Sequence, residues 1–140
     1  MKRHSLKPSE KEKIIELISS YLLDKRKEVA AAYLFGSFNS SDSFSDIDLG
    51  ILMETVIAKP LSFEMKLEQH LEKIADYQVD IKVLNKAPIS FCQNVIRGGK
   101  IILDRDPNFR ADFEGMVLRE YFDFYPFRRR YLEEVLNAPI

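Results

Sequence analysis

Apolar residues in this chain follow two rhythms, and each change of rhythm marks an element. Ile14, Ile18, Tyr21 and Leu22 recur three or four residues apart, behind a Ser9 and a Glu12 spaced as a capping box. They predict a helix over 9–27. Val29 to Phe35 is then an almost unbroken apolar run that stops at Gly36, the pattern of a short buried strand ending in a tight turn. Ser37 to Ser45, rich in Ser, Asn and Asp, predicts a loop with room for one helical turn. Ile47 to Met53 is apolar and short again, a second strand. Leu67, Leu71, Ile74 and Ala75 mark the inner face of a helix over 61–76. From Tyr77 to Leu84 the chain alternates, with Val79, Ile81 and Val83 on one face and Asp80 and Lys82 on the other. Pro88 to Ile96 predicts a short helix closed by Gly98 and Gly99, and Lys100 to Asp104 a fourth strand. Pro107 opens a long helix with Phe109, Phe113, Met116, Val117 and Tyr121 in its stripe, which Pro126 should kink or divide.

The order helix, strand, strand, helix, strand, helix, strand, helix predicts an α/β (α+β) fold. A small mixed sheet is flanked by helices in two or three layers, with a long C-terminal helical segment. The 140 residues fit one domain, with a core over 29–104 and the helical segment over 107–137. Composition changes this little: 46% hydrophobic and 31% charged residues describe a folded chain rather than a disordered one. A net charge of -1 lowers the case for a nucleic-acid-binding domain, which usually carries a basic excess. The single cysteine, Cys92, excludes a disulfide framework within one chain and fits a reducing cytoplasm. Met1 to Pro8 is charged and lacks the apolar stretch of a signal peptide, and no run approaches the roughly 18 apolar residues of a membrane span. A cytoplasmic protein is expected.

Chemistry enters at Gly36-Ser37 and at Ser45-Asp46-Ile47-Asp48-Leu49. Side chains two apart on a strand share a face, so Asp46 and Asp48 project together while Ile47 and Leu49 turn into the core. Adjacent carboxylates repel each other, and a cation between them relieves the repulsion. Hard oxygen ligands favour Mg²⁺, which also binds phosphates. Asp80 sits mid-strand in an otherwise apolar run, and joins the pair if its strand lies beside the second. Three carboxylates can hold two ions about 3.5–4 Å apart, one orienting a triphosphate and one activating a hydroxyl for in-line attack at the α-phosphorus. Asp80 is then the candidate to help remove the hydroxyl proton. Gly36 lets backbone approach a phosphate closely, and Ser37 offers a hydroxyl and an N–H to the β- or γ-phosphate. Alone, Asp46 reads as a turn residue, Asp80 as part of a solvated strand face, and a Gly-Ser pair as a weak signal. The combination is far more specific than its parts.

Gly36-Ser37, an eight-residue gap, Asp46-Ile47-Asp48 and a later strand Asp80 resemble the signature of the nucleotidyltransferase superfamily related to DNA polymerase beta. The element order is similar to that fold over 30–104, and the short length resembles its minimal nucleotidyltransferase branch. The resemblance implies that Asp46, Asp48 and Asp80 bind Mg²⁺ and carry catalysis, and that Gly36 and Ser37 hold the triphosphate. It also implies an antitoxin that transfers AMP from ATP to a tyrosine hydroxyl of a partner HEPN ribonuclease toxin. Two other readings stay open. One is a nucleotidyltransferase acting on a small molecule such as an aminoglycoside; the single aromatic helix after Asp104 weighs against it. The other is an antitoxin acting by binding alone, which has no need of three clustered aspartates.

Lys82, on the face of Asp80, is a candidate phosphate contact. Arg97 and Lys100 flank the double glycine and read as solvated turn charges. His4 falls in an N-terminal tail and His70 on a helix, with no second ligand near either. Cys92 reads as a buried small hydrophobe. Tyr121, Phe122, Phe124, Tyr125, Phe127 and Tyr131, followed by Arg128 to Arg130, exceed what one helix stripe can bury. They are the candidate surface for a partner protein or a second copy of the chain.

Overall fold

The structure, a computed structural model, describes residues 2–137; of 124–129 and 131–137 it describes the backbone course alone. In chain order the elements are β1 (His4–Ser5), α1 (Pro8–Lys25), β2 (Val29–Phe35), α2 (Ser37–Ser40), β3 (Ser43–Phe44), β4 (Ile47–Met53), α3 (Pro60–Ala75), β5 (Val79–Val83), α4 (Ile89–Gly98), β6 (Lys100–Asp104) and α5 (Pro107–Asn137). Four strands form a mixed sheet in the order β5-β4-β2-β6. β4 and β5 are parallel, and β2 runs antiparallel to both its neighbours.

Alternation along the strands assigns the two faces. Ile47, Leu49, Ile51 and Met53 of β4 pack with Ile18 and Leu22 of α1 and Leu67 and Leu71 of α3. Leu52 of β4 and Tyr33 of β2 pack on the other face with Cys92 and Val95 of α4 and Val117 of α5. The expected mixed, helix-flanked sheet is present, in three layers. Asp48 and Gly50 fall in the second alternation set, with Leu52.

Several boundaries differ from expectation for local reasons. α1 begins at Pro8 rather than Ser9, because the residue before a proline is driven into extended backbone, and Lys7 is extended. The capping contact is accordingly Glu10, whose Oε1 accepts the Lys7 N–H at 3.3 Å, not Ser9 with Glu12. His4 is not in a loose tail: it forms β1, which pairs antiparallel with β3 inside the stretch read as a loop. The expected helical turn is there too, as α2. Pro126 does not divide α5, which runs as one element to Asn137. Of the aromatic stretch, Tyr121 is half-buried and Phe122 is exposed, while the side chains of Phe124, Tyr125, Phe127 and Tyr131 lie outside the described residues. None of the described helices is long and apolar enough to cross a membrane.

The edge strand β5 is closed by α3. Glu72, Glu68 and Glu64 accept the N–H groups of Val79 (3.2 Å), Ile81 (2.8 Å) and Val83 (3.3 Å). Four residues of helix rise about 6 Å and two residues of strand about 6.6 Å, so the two spacings stay matched over both steps. This caps the outward donors of an edge that would otherwise template pairing with another chain.

Arg105 ties the end of β6 to the end of α1. Its Nε donates to the Val29 carbonyl (2.9 Å), and Nη2 lies 3.0, 3.1 and 3.3 Å from the carbonyls of Leu22, Leu23 and Arg26. Of these, the Leu22 and Arg26 carbonyls also accept the N–H groups of Arg26 and Val29, while the Leu23 carbonyl belongs to the last turn of α1, whose carbonyls lack helical partners. Arg105→Ala is therefore expected to lower unfolding free energy by about 2–3 kcal/mol in denaturant titration, the scale of lost charged hydrogen bonds. Arg105→Lys should recover only part, since an ammonium cannot reproduce the fork.

Candidate active site

The parallel pairing of β4 and β5 sets Asp48 opposite Asp80. Asp46 precedes β4 in a bend, and the next residue fixes it: the Ile47 N–H donates to the Gln78 carbonyl at 2.8 Å. One carboxylate oxygen of each of Asp46, Asp48 and Asp80 lies within 4.8 Å of the others. Asp46 and Asp48 are half-buried and Asp80 is exposed. Burial, then the charges of Asp46 and Asp80, push the Asp48 carboxyl up to about 6. Glu68, held on Ile81, is also raised, first by burial, with Asp80 among its charged neighbours. A cluster of hard oxygen ligands with excess negative charge fits a divalent cation of the Mg²⁺ type.

Gly36 touches this cluster directly. Phe35 pairs with Asp48 across β2 and β4, which places the next residue beside that carboxylate. Gly36 has φ 77 and ψ -163, a region essentially reserved for glycine. A Cβ there would collide with Asp48 Oδ2 and stand 3.1 Å from its Cγ. The glycine thus serves two needs: the turn into α2 and the space that Asp48 occupies. Ser37 opens α2, and the Gly36 carbonyl accepts the N–H groups of Asn39 and Ser40 (3.2 and 3.1 Å) and the Ser40 hydroxyl (3.0 Å). The first N–H groups of such a turn have no partner within it and suit an anion.

Lys82 lies two residues beyond Asp80 in β5, exposed, in register with Gly50. The remaining candidates fall elsewhere. His70 Nδ1 is 3.1 Å from Arg26 Nη2. Lys100 pairs with Glu12 at 3.7 Å on the surface, and Arg97 is exposed. Cys92 is buried, as expected, and burial lifts its thiol to about 11, which leaves it without thiolate character at neutral pH.

The sequence reading missed the foundation beneath the site. Phe38 and Phe44 stack edge to face at 4.7 Å, and Phe44 meets Tyr77 at 5.2 Å. The His4 ring lies 4.8 Å from Tyr77 and 5.6 Å from Phe44. This cluster joins the segments that carry Ser37, Asp46 and Asp80. The available signal was that Phe38 and Phe44 are the only apolar residues in the polar stretch 37–45.

The family model for the polymerase beta nucleotidyltransferase domain matches residues 12–108. The chain belongs to the polymerase beta nucleotidyltransferase family. It is a nucleotidyltransferase by that membership, and its matched span runs from within α1 to the start of α5. Solved structures similar to it include toxin–antitoxin complexes. A toxin–antitoxin complex of MntA with HepT is 25% identical, with TM-score 0.66 over 93% of this chain and 99% of that one. The MNT antitoxin bound to a tri-AMPylated HEPN toxin of Shewanella oneidensis is 26% identical, with TM-score 0.66 over 91% and 97%. A toxin–antitoxin structure with AMP-PNP is 26% identical, with TM-score 0.69 over 90% and 98%. No curated protein matches the nucleotidyltransferase.

Proposed function

We propose that this nucleotidyltransferase is a cytoplasmic antitoxin that transfers AMP from ATP to a tyrosine hydroxyl of a HEPN-type toxin. The observation that carries the reading is the three-aspartate cluster set against Gly36. The antitoxin resemblance adds the partner, and the AMPylated toxin of a relative adds the group transferred. Asp46, Asp48 and Asp80 would hold Mg²⁺, which supplies charge neutralisation for the triphosphate and acidifies a nearby hydroxyl. Gly36 and Ser37 bind the β- and γ-phosphates, and Lys82 contacts phosphate from the neighbouring strand. The acceptor oxygen bonds to the α-phosphorus as the α–β bridging bond breaks, and pyrophosphate leaves. Asp80, the most open of the three, takes the hydroxyl proton. The catalytic core is 29–104. The helical segment 107–137, with Phe122 exposed on it, is the surface offered to the partner protein or to a second copy.

The test is transfer of label from α-labelled nucleoside triphosphates, supplied one at a time with Mg²⁺, to an extract of the source cells. Label from ATP alone on one discrete protein band, absent in Asp46→Asn/Asp48→Asn, is the expected result. Label confined to small molecules would replace the protein acceptor with an aminoglycoside-type one. Toxin neutralisation that survives the double substitution would leave binding alone as the mechanism.

A further inference from the structure

The proposed phosphate site leaves unexplained how the polar stretch between Ser37 and Asp46 keeps one shape. That stretch carries a nucleotide contact at one end and a carboxylate at the other. Left to itself, a Ser/Asn/Asp-rich segment of this length has many conformations, and fixing each residue costs backbone entropy. The N-terminal part of the chain supplies the restraint. Lys11 of α1 donates from Nζ to the carbonyls of Phe38 (2.9 Å) and Ser41 (2.7 Å), at the end of α2 where carbonyls lack helical partners. The same ammonium stands 5.1 Å from the Phe38 ring centroid and 5.6 Å from that of Phe44. Arg3 adds a second anchor, its Nη2 donating to the Ser43 carbonyl (2.7 Å) and its Nε to the Ser43 hydroxyl (3.2 Å). Ser5 donates to the Asp42 carbonyl at 3.3 Å, and β1 pairs with β3 in the register His4 to Phe44.

We infer that Lys11 is a positioning residue for nucleotide binding. By gathering the carbonyls of Phe38 and Ser41 onto one ammonium it orders the 37–46 loop before the triphosphate arrives, with Arg3 as its auxiliary. The inference rests on the reading of Gly36 and Ser37 as the triphosphate contact. A loop ordered in the free protein spares that entropy on binding, so the residue acts on affinity although it is not placed among the phosphate contacts. Lysine suits the task because a compact ammonium with three donors serves two converging carbonyls and keeps its rings in reach.

Four proteins test this: the full chain, Lys11→Met, which keeps the apolar stem, Lys11→Arg, which keeps the charge, and Arg3→Ala at an exposed position. Amide hydrogen exchange of residues 38–45 reads the loop directly, and calorimetric titration with a non-hydrolysable ATP analogue and Mg²⁺ reads the site. Lys11→Met should exchange faster in 38–45 and bind the analogue about tenfold more weakly. Lys11→Arg, which keeps the charge but not the compact three-donor head, should restore part of the affinity, and Arg3→Ala should show the same pair of effects at smaller size. A purely structural lysine would lower the melting temperature and leave affinity unchanged. Unchanged exchange in Lys11→Met and Arg3→Ala overturns the inference, and so does faster exchange with unaltered affinity. If the unsubstituted protein itself fails to bind the analogue, the triphosphate reading falls first and takes the inference with it.

Discussion

Asp48→Asn is expected to slow transfer on the order of 10³-fold and, in the same protein, to raise stability when divalent metal is absent. Asp48 pairs with Asp80 across the parallel strands and has Asp46 two residues away. Under the proposed function Asp48 would hold the metal, and loss of such a carboxylate removes several kcal/mol of charge stabilisation, so the rate should fall on the order of 10³-fold. The stability effect has the opposite sign. Asp48 has its carboxyl raised from 3.8 to about 6 by burial and by the two neighbouring aspartates. Below pH 3.8 it is protonated in both the folded and the unfolded chain and contributes no difference. Between 3.8 and about 6 the folded chain retains a proton that the unfolded chain has released, so stability declines as pH rises. Above that window the full penalty applies. Melting temperatures in EDTA should therefore show Asp48→Asn above the parent at about pH 7–8, with the gap closing as pH drops toward about 4. Added Mg²⁺ should raise the parent and leave the variant unmoved, because only a protein that binds the ion gains by mass action. A variant that matches the parent in EDTA would mean that other groups already compensate the Asp48 charge. One that still transfers at the parental rate would remove Asp48 from the chemistry.

What the sequence made legible, and what it did not, divides by the range of the forces involved. β2 and β4 are short apolar runs bounded by turn residues, whereas α3 and α5 carry apolar stripes at helical spacing, so run length types the first two and periodicity the others. The pairing of Asp46 with Asp48 was legible because two-residue spacing next to a strand puts both on one face. The arrival of Asp80 was conditional on its strand lying beside β4, and the side chains alone do not state that pairing. β1 was illegible because a two-residue strand has no pattern of its own and exists by pairing with Ser43 and Phe44, nearly forty residues away. Glu64, Glu68 and Glu72 look like the solvated side of α3 when read along the helix. Glu64 is only 7% exposed, and its role appears only once the edge of β5 lies beside it. Arg105 is similar: a charge just past a strand says nothing of the helix end it closes.

Gly36→Ala is expected to be the most damaging change at a residue without ionisable groups. A methyl group there meets two separate obstacles. The backbone at φ 77 and ψ -163 is strained for any residue with a Cβ, at about 1–3 kcal/mol. The Cβ also occupies the volume of the Asp48 carboxylate, so either the turn into α2 moves or the carboxylate swings away from Asp46 and Asp80. Displacement of a reacting group by about 1 Å costs about 10² in rate, which sets the expected loss of transfer. The two obstacles separate experimentally. Backbone strain alone lowers the melting temperature equally with and without Mg²⁺, whereas a displaced Asp48 also shrinks the stabilisation that Mg²⁺ confers. Gly98→Ala provides the matched control: it lies in α4 with nothing within 4 Å of an added methyl, and alanine favours the helix. That control should melt at or slightly above the parent and transfer normally. If Gly36→Ala instead keeps both its Mg²⁺ response and its rate, the glycine is a turn residue only, and the close approach of Asp48 to the turn into α2 has no part in the reaction.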